Sequence, residues 1–241
     1  MHLVLRLLLA LLLAAAVYAT TWGPPIVHPP TTQYHGAFRT GDMLLCRTGA
    51  ADFRLSTAFT GAHYSHVGII LATESTPLGV PLVLESHCHP HTPYPDLVTG
   101  IARQGWQLHV LSRRVQEYDD LHHGWSVVRR LRGGPPLPPL LELLASPRRG
   151  RFPGGADMLL SAGLRSLRDR WGGERCEAGA ALERRPDELC CSAFVALWYR
   201  TSGVMRPQLP LTAVYPHMFV KDDSRLGLQP PFRFDPPALL A

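Results

Sequence analysis

The stretch Tyr64-Ser65-His66-Val67-Gly68-Ile69-Ile70 decides the fold, because it sets one histidine in a run of aromatic and β-branched residues. Such residues favour strands, so we predict a strand over residues 64–71. A histidine on a rigid strand is well mounted to act as a general base. A single strand histidine is more often structural, so a catalytic role for His66 depends on partners elsewhere in the chain.

Further strands are predicted on both sides of this stretch. The apolar run at residues 43–46 follows Gly41-Asp42 and is typical of a short buried strand. Residues 81–85, Pro-Leu-Val-Leu-Glu, form the next strand after a turn. The remaining predicted elements of the first half are a short helix or turn at 53–60 and strands at 106–115 and 125–131.

The second half of the chain is predicted to be helical as far as its tail. Helical apolar spacing is found over residues 138–145 and 156–170. Residues 188–201 form a strongly apolar helix that is entered at the Cys190-Cys191 pair and closed by Gly203. From residue 207 the tail is rich in proline and is predicted to be irregular. The sequence therefore predicts an α+β fold, in which an antiparallel sheet packs on the helix that presents Cys191.

The helix entrance at Cys190-Cys191-Ser192 suggests thiol chemistry. A thiol reacts as the thiolate, and a helix N-terminus together with a nearby imidazole stabilises that anion. Either cysteine qualifies by position, and His66 is the candidate base. Cysteines before an apolar helix are also common in plain core packing.

A third polar group usually orients the imidazole of such a pair. Glu85 is the natural candidate, because it ends the strand directly after the His66 strand and would lie beside the ring if the two strands pair. His87, Asp96 and Asp119 remain alternatives, since a sequence does not fix strand register.

Taken together, the Gly41-Asp42 strand, the Tyr-Ser-His-Val-Gly block and the late Cys-Ser helix resemble the permuted papain-like amidases of the YiiX/YebB type, relatives of NlpC-type peptidases. In that group the histidine strand precedes the cysteine helix, as His66 precedes Cys191 here. The resemblance covers about residues 38–216. It implies a circularly permuted papain-like fold.

The resemblance also implies roles for individual residues. Cys191 is the expected nucleophile, because Ser192 must follow it, His66 is the base and Glu85 is the third polar residue. Tyr64 is expected to line the substrate pocket. The backbone N–H of Cys191 would stabilise the oxyanion.

The function expected from this set is a thiol hydrolase of the amidase or peptidase type. Its acyl-enzyme intermediate would form on an amide, an ester or a lipid-linked substrate. One alternative is a lipid acyltransferase or phospholipase of the lecithin:retinol acyltransferase type, which shares the architecture. The other is a catalytically inactive, membrane-tethered binding module.

The N-terminus predicts a membrane or secretory location. Residues 1–22 are almost entirely apolar and fit either a signal peptide or a signal anchor. Residues 23–37 form a proline-rich spacer, and residues 38–241 form the hydrolase domain.

Composition bounds the remaining function classes. The chain has 241 residues, enough for one core, and a net charge of +5. Its arginines are not interleaved with aromatic residues in a basic stripe, so nucleic acid is not an expected partner. Five cysteines leave at least one thiol unpaired within the chain. The cluster His87-Cys88-His89-Pro90-His91 is interpreted as a loop rather than a metal site, and we expect no metal or other cofactor.

Overall fold

The computed structural model describes most of the predicted sheet and the cysteine helix. Its described residues are 6, 13, 29–47, 64–72, 79–87, 95–101, 105–122, 124–133, 191–209, 211, 214–220 and 224–240. The segments predicted at 53–60, 138–145 and 156–170, and nearly all of residues 1–22, lie outside this part of the chain. Within the part that is described, no helix is long and apolar enough to cross a membrane.

Six strands form one sheet in the order β4-β3-β2-β1-β5-β8, and every neighbouring pair in it is antiparallel. The strands of this sheet are β1 (Met43–Arg47), β2 (His66–Leu71), β3 (Leu82–His87), β4 (Gly105–Val110), β5 (Trp125–Arg129) and β8 (Ala238–Leu240). Strands β6 (Leu131–Arg132) and β7 (Arg233–Phe234) form a separate two-stranded sheet. Among the described residues, the helices are α1 (Leu111–His122) and α2 (Cys191–Thr201), and two 3₁₀ turns cover Pro216–Phe219 and Ser224–Leu226.

The coarse prediction of an α+β fold with an antiparallel sheet is confirmed. Strands β1, β2 and β3 lie within a residue or two of the predicted positions. Helix α2 begins at Cys191 and is followed by Gly203, whose φ of 73° is the left-handed conformation that commonly ends a helix.

The strand predicted over residues 106–115 is wrong in its second half. Strand β4 ends at Val110, and α1 begins at the next residue. Leu111, Arg114, Val115 and Tyr118 recur at a helical spacing of three and four residues, and three of the four are buried. No glycine or proline separates β4 from this helical stripe. The sequence therefore has no breaker residue to mark where the strand ends and the helix begins.

The region around residues 125–131 and the tail also differ from prediction. The strand predicted over residues 125–131 is interrupted after Arg129. Its two parts, β5 and β6, belong to different sheets. The tail is more regular than predicted, because β8 pairs with β5 at the edge of the main sheet, with Val128 opposite Ala238. A strand of three residues carries too little periodicity to be recognised, and here tertiary pairing determines it.

The main sheet carries two different cores on its two faces. On one face, Met43, Leu45, Val67 and Ile69 join a cluster formed with the apolar residues of α2, which packs against β2 and β3. On the other face, Leu44, Cys46, Ile70 and Val83 pack with residues of α1. Because side chains alternate along a strand, His66 shares its face with Ile70 and therefore with α1.

Helix α2 is held firmly on its face of the sheet. Phe194, Trp198 and Tyr199 are fully buried there, and each such apolar side chain contributes about 1.5–3 kcal/mol. The Tyr199 hydroxyl donates a hydrogen bond of 2.8 Å to the carbonyl oxygen of Gly41, at the entrance to β1. This contact fixes the cysteine helix relative to the strand at the centre of the sheet.

Candidate active site

His66 and Glu85 form a buried pair on neighbouring strands. Gly68 lies opposite Glu85 in the register of β2 and β3, so His66 is the diagonal neighbour of Glu85 on the same face. The His66 Nε2 atom lies 2.6 Å from Glu85 Oε2. His66 is 9% exposed, and Glu85 is 0% exposed.

Gly68 of β2 permits the close approach of His66 to Glu85. A Cβ atom at Gly68 would lie 2.7 Å from a methyl carbon of Val83 and 3.1 Å from the carbonyl oxygen of Leu84. Real Cβ atoms do not approach another atom as closely as 2.7 Å, so a larger residue would force Val83 or the backbone of β3 to shift.

The second oxygen of the glutamate faces a cation. Arg114 of α1 makes an ion pair with Glu85 Oε1 through its Nε atom, and it is 2% exposed. His109 Nε2 lies 3.7 Å from the same oxygen and 3.0 Å from Gln107 Oε1. Burial lowers the pKa of His109, and the Glu85 carboxylate only partly offsets this.

This charge arrangement determines which ring nitrogen of His66 carries the proton. If Glu85 is ionised, its carboxylate can only accept hydrogen bonds, and the 2.6 Å contact then has His66 donating from Nε2. The opposite nitrogen, Nδ1, is then the one that can take up a proton. An imidazole with one nitrogen anchored on a carboxylate and the other able to accept is suited to general-base chemistry.

Tyr118 of α1 contacts both His66 and Arg114. Its ring stacks on His66 with centroids 5.9 Å apart, and the Arg114 guanidinium lies 4.5 Å from its centroid. Arg114 also donates a hydrogen bond of 3.0 Å to the Tyr118 hydroxyl. Burial raises the pKa of this hydroxyl well above its ordinary value, the Arg114 cation partly offsets that rise, and the Glu85 carboxylate adds to it.

Cys191 is the first residue of α2 and a half-buried free cysteine. The body of α2 packs on the face of the sheet opposite to His66. A thiolate at Cys191 would raise the pKa of the Tyr118 hydroxyl slightly. The approach of the Cys191 sulfur to His66 stays a prediction.

Cys46 is the second free cysteine in the described ranges, and its environment suits no nucleophile. It lies directly opposite His66 in the register of β1 and β2, and it is completely buried. Burial raises the pKa of its thiol strongly, and the Ser126 hydroxyl donates a hydrogen bond of 3.4 Å to its sulfur. A thiol held neutral at physiological pH is inert, so Cys191 is the better candidate.

Tyr64, the predicted pocket residue, lies in the core cluster shared with α2. It is 4% exposed, and its ring packs edge-on against Trp125 with centroids 5.3 Å apart. Burial raises the pKa of its hydroxyl to about 12. Its role in binding substrate stays a prediction.

The alternative orienting residues are placed differently from Glu85. Asp96 is fully buried, but its carboxylate accepts hydrogen bonds from the backbone N–H of Leu108 and from Thr99, so it organises its own turn. Asp119 is exposed on α1. His87 ends β3, and its side chain lies outside the described part of the chain, as does the rest of the cluster at 87–91.

Sequence reasoning missed Arg114, Glu117 and Tyr118, because their segment was assigned in part to a strand. The available signal was the spacing of Leu111, Arg114 and Tyr118, which puts a cation on the buried face of a helix. Buried arginines are rare unless paired, so an arginine in an apolar stripe indicates an acidic partner nearby.

No protein-family model matches the chain, and no curated protein matches it.

Proposed function

We propose that the protein is a cysteine hydrolase of the amidase type, with Cys191 as nucleophile, His66 as general base and Glu85 as the residue that orients the base. The contact that carries this proposal is the 2.6 Å approach of Glu85 Oε2 to His66 Nε2. A histidine anchored in this way on a buried carboxylate is costly to maintain, and the arrangement is one that orients a catalytic base.

The fold proposed with this function is the circularly permuted papain-like fold. It is supported by chain order, since the strand of His66 precedes the helix of Cys191, and by the packing of α2 against β2 and β3. It is also supported by the resemblance of the two sequence blocks to the permuted amidases of the YiiX/YebB type.

In the proposed reaction, His66 Nδ1 takes the proton from the Cys191 thiol, and the resulting thiolate attacks a substrate carbonyl carbon. The backbone N–H at the start of α2 stabilises the oxyanion of the tetrahedral intermediate. The intermediate collapses to a thioester on Cys191 as His66 returns the proton to the leaving amine or alcohol. His66 then deprotonates a water, which hydrolyses the thioester and releases the acid and the free thiol.

Glu85 acts in this scheme without touching the substrate. Its negative charge holds the imidazole in one orientation and stabilises the imidazolium that forms after proton transfer. Because Glu85 is fully buried, water does not weaken that interaction.

The proposed substrate is an amide or ester that is presented at a membrane. The apolar residues 3–22 would hold the domain close to a lipid surface, and resolution of the thioester by a second nucleophile in place of water would give acyl transfer. Hydrolysis is the leading reaction, because it needs only the residues named above and water.

The test is labelling of the full-length protein with an electrophilic acyl probe, followed by peptide mass spectrometry. We expect label on Cys191, loss of label in Cys191→Ala, and retention in Cys46→Ser, which alters the buried thiol. Turnover of a chromogenic amide or ester by the same samples separates an enzyme from a binding module of the same fold. Undiminished labelling of Cys191→Ala would overturn the assignment.

A further inference from the structure

We propose that Arg114 is a positioning residue, which keeps Glu85 anionic so that neutral His66 holds its proton on Nε2 and its Nδ1 stays unprotonated. This inference rests on the function proposed above and assigns a role to a residue that the triad does not contain.

A buried glutamate does not stay ionised without compensation. Removing a carboxylate from water disfavours its charged form, and Glu85 has no exposed surface. A protonated Glu85 would donate a hydrogen bond to His66 Nε2, which would leave the proton of a neutral imidazole on Nδ1. That tautomer cannot accept a proton from a thiol at Nδ1, so the charge of Glu85 determines whether the base is usable.

Arg114 supplies the compensating charge on the oxygen that His66 does not use. Its Nε atom is in ion-pair contact with Glu85 Oε1, whereas His66 contacts Oε2. Burial alone would lower the pKa of Arg114, but the carboxylates of Glu85 and Glu117 raise it above its ordinary value. The guanidinium is therefore a permanent cation beside the pair.

The guanidinium is itself fixed by α1. Its Nη1 atom makes an ion pair with Glu117, and its Nη2 atom donates to the Tyr118 hydroxyl at 3.0 Å. The Tyr118 ring lies against both the guanidinium and the His66 imidazole. Helix α1 thus places three groups beside the pair of His66 and Glu85. They are the guanidinium of Arg114, the carboxylate of Glu117 and the ring of Tyr118.

The charges around the pair predict shifts of opposite sign. The titratable groups around the pair are Arg114, Glu117 and Tyr118 of α1, Cys46 of β1 and His109 of β4. Asp96, in the turn before β4, acts on His109, and a charge on Cys191 of α2 would act on Tyr118. Removing a positive charge favours proton uptake by the pair, and removing a negative charge disfavours it. Arg114→Met should therefore move the pH of proton uptake upwards, and Glu117→Gln should move it downwards.

The experiment follows the His66 imidazole by NMR in the full-length protein with ¹³C-labelled histidine, using His66→Gln to assign the signal. We expect the titration midpoint to lie at higher pH in Arg114→Met than in the control, and at lower pH in Glu117→Gln. Arg113→Met, an exposed arginine on the same helix, is the matched control and should leave the midpoint unchanged. A midpoint in Arg114→Met equal to that of the control, or shifts of the same sign in both variants, would overturn the inference.

Two further variants cover the case in which Arg114→Met does not fold. Arg114→Lys keeps the charge and should restore most of the wild-type midpoint. The double variant Arg114→Met with Glu117→Gln also removes the negative charge of Glu117. It should still titrate at a higher pH than the wild type, because Arg114 is the group in contact with Glu85. A downward or absent shift in the double variant would contradict the role of Arg114.

This readout is independent of catalysis. If the acyl probe fails to label Cys191 while Arg114→Met still moves the midpoint, the hydrolase function fails and the effect of Arg114 on the pair stands. If the probe labels Cys191 and the midpoint does not move, the function stands and the positioning role fails.

Discussion

Replacing Glu85 by glutamine removes the charge at the centre of the site and changes the side-chain shape little. The amide can still accept from His66, but it no longer attracts the imidazolium, and its NH₂ group can approach Arg114 only unfavourably. Arg114 keeps Glu117 as a second carboxylate partner, so the cation is not left entirely uncompensated.

The expected magnitudes follow from burial. Removing one partner of a buried ion pair costs about 3–5 kcal/mol, and the remaining Glu117 contact sets the expectation at about 3 kcal/mol. For a domain of this size that loss lowers Tm by roughly 6–12 °C. Loss of the carboxylate behind a catalytic histidine reduces turnover by up to about 10⁴-fold.

The assay combines thermal unfolding with the rate of Cys191 acylation in Glu85→Gln. The matched control is Asp42→Asn, because Asp42 is also fully buried beside an arginine, Arg130, but lies at the entrance to β1. Both variants should lose stability, and only Glu85→Gln should lose acylation. A Glu85→Gln protein that acylates at the wild-type rate would refute the orienting role, and equal loss of acylation in both variants would reduce it to an effect of stability.

Three further outcomes test the packing and the electrostatics. Gly68→Ala should lower the free energy of unfolding by about 1–3 kcal/mol and slow acylation of Cys191, because its methyl group would overlap Val83 and separate β2 from β3. Denaturant unfolding measures the first effect and the acyl probe the second. Unchanged stability and acylation would contradict the close approach of the two strands at Gly68. Tyr199→Phe should cost about 1–3 kcal/mol in the same unfolding assay, because the Gly41 carbonyl loses its 2.8 Å hydrogen bond, and full stability would show that this oxygen finds another donor. His109 has a pKa lowered by burial from an ordinary 6.5, so the unfolded chain binds its proton first and the wild type loses stability as the pH falls below about 6.5. His109→Gln should flatten this part of the curve of unfolding free energy against pH, and an unchanged slope would contradict the assignment.

Local patterns were sufficient to predict the central strands and the cysteine helix. The aromatic and β-branched run at residues 64–71 and the apolar run at 43–46 each have a periodicity that a single segment can express. Pairing of β2 with β3 is expected from their order in the chain, but the sequence leaves open the register that puts Glu85 beside His66, and the catalytic roles of both remain predictions.

Long-range pairing and the faces of the sheet could not be predicted in this way. Strand β8 depends on β5, which precedes it by more than a hundred residues, and its three residues have no pattern of their own. Alternation of side chains along β2 puts His66 on the same face as Ile70. Which helix covers that face could be inferred only after α1 had been identified. Because α1 was assigned in part to a strand, Arg114 and Tyr118 were absent from the predicted site.

The central claim is that the imidazole at 66 activates the sulfur at 191. The most direct measurement is the second-order rate of Cys191 alkylation by iodoacetamide near neutral pH, resolved by peptide mass spectrometry, in the wild type and in His66→Gln. The account predicts that Cys191 is alkylated much faster in the wild type than in His66→Gln, whereas the buried Cys46 reacts slowly in both. An alkylation rate at Cys191 that is the same with and without His66 would contradict it.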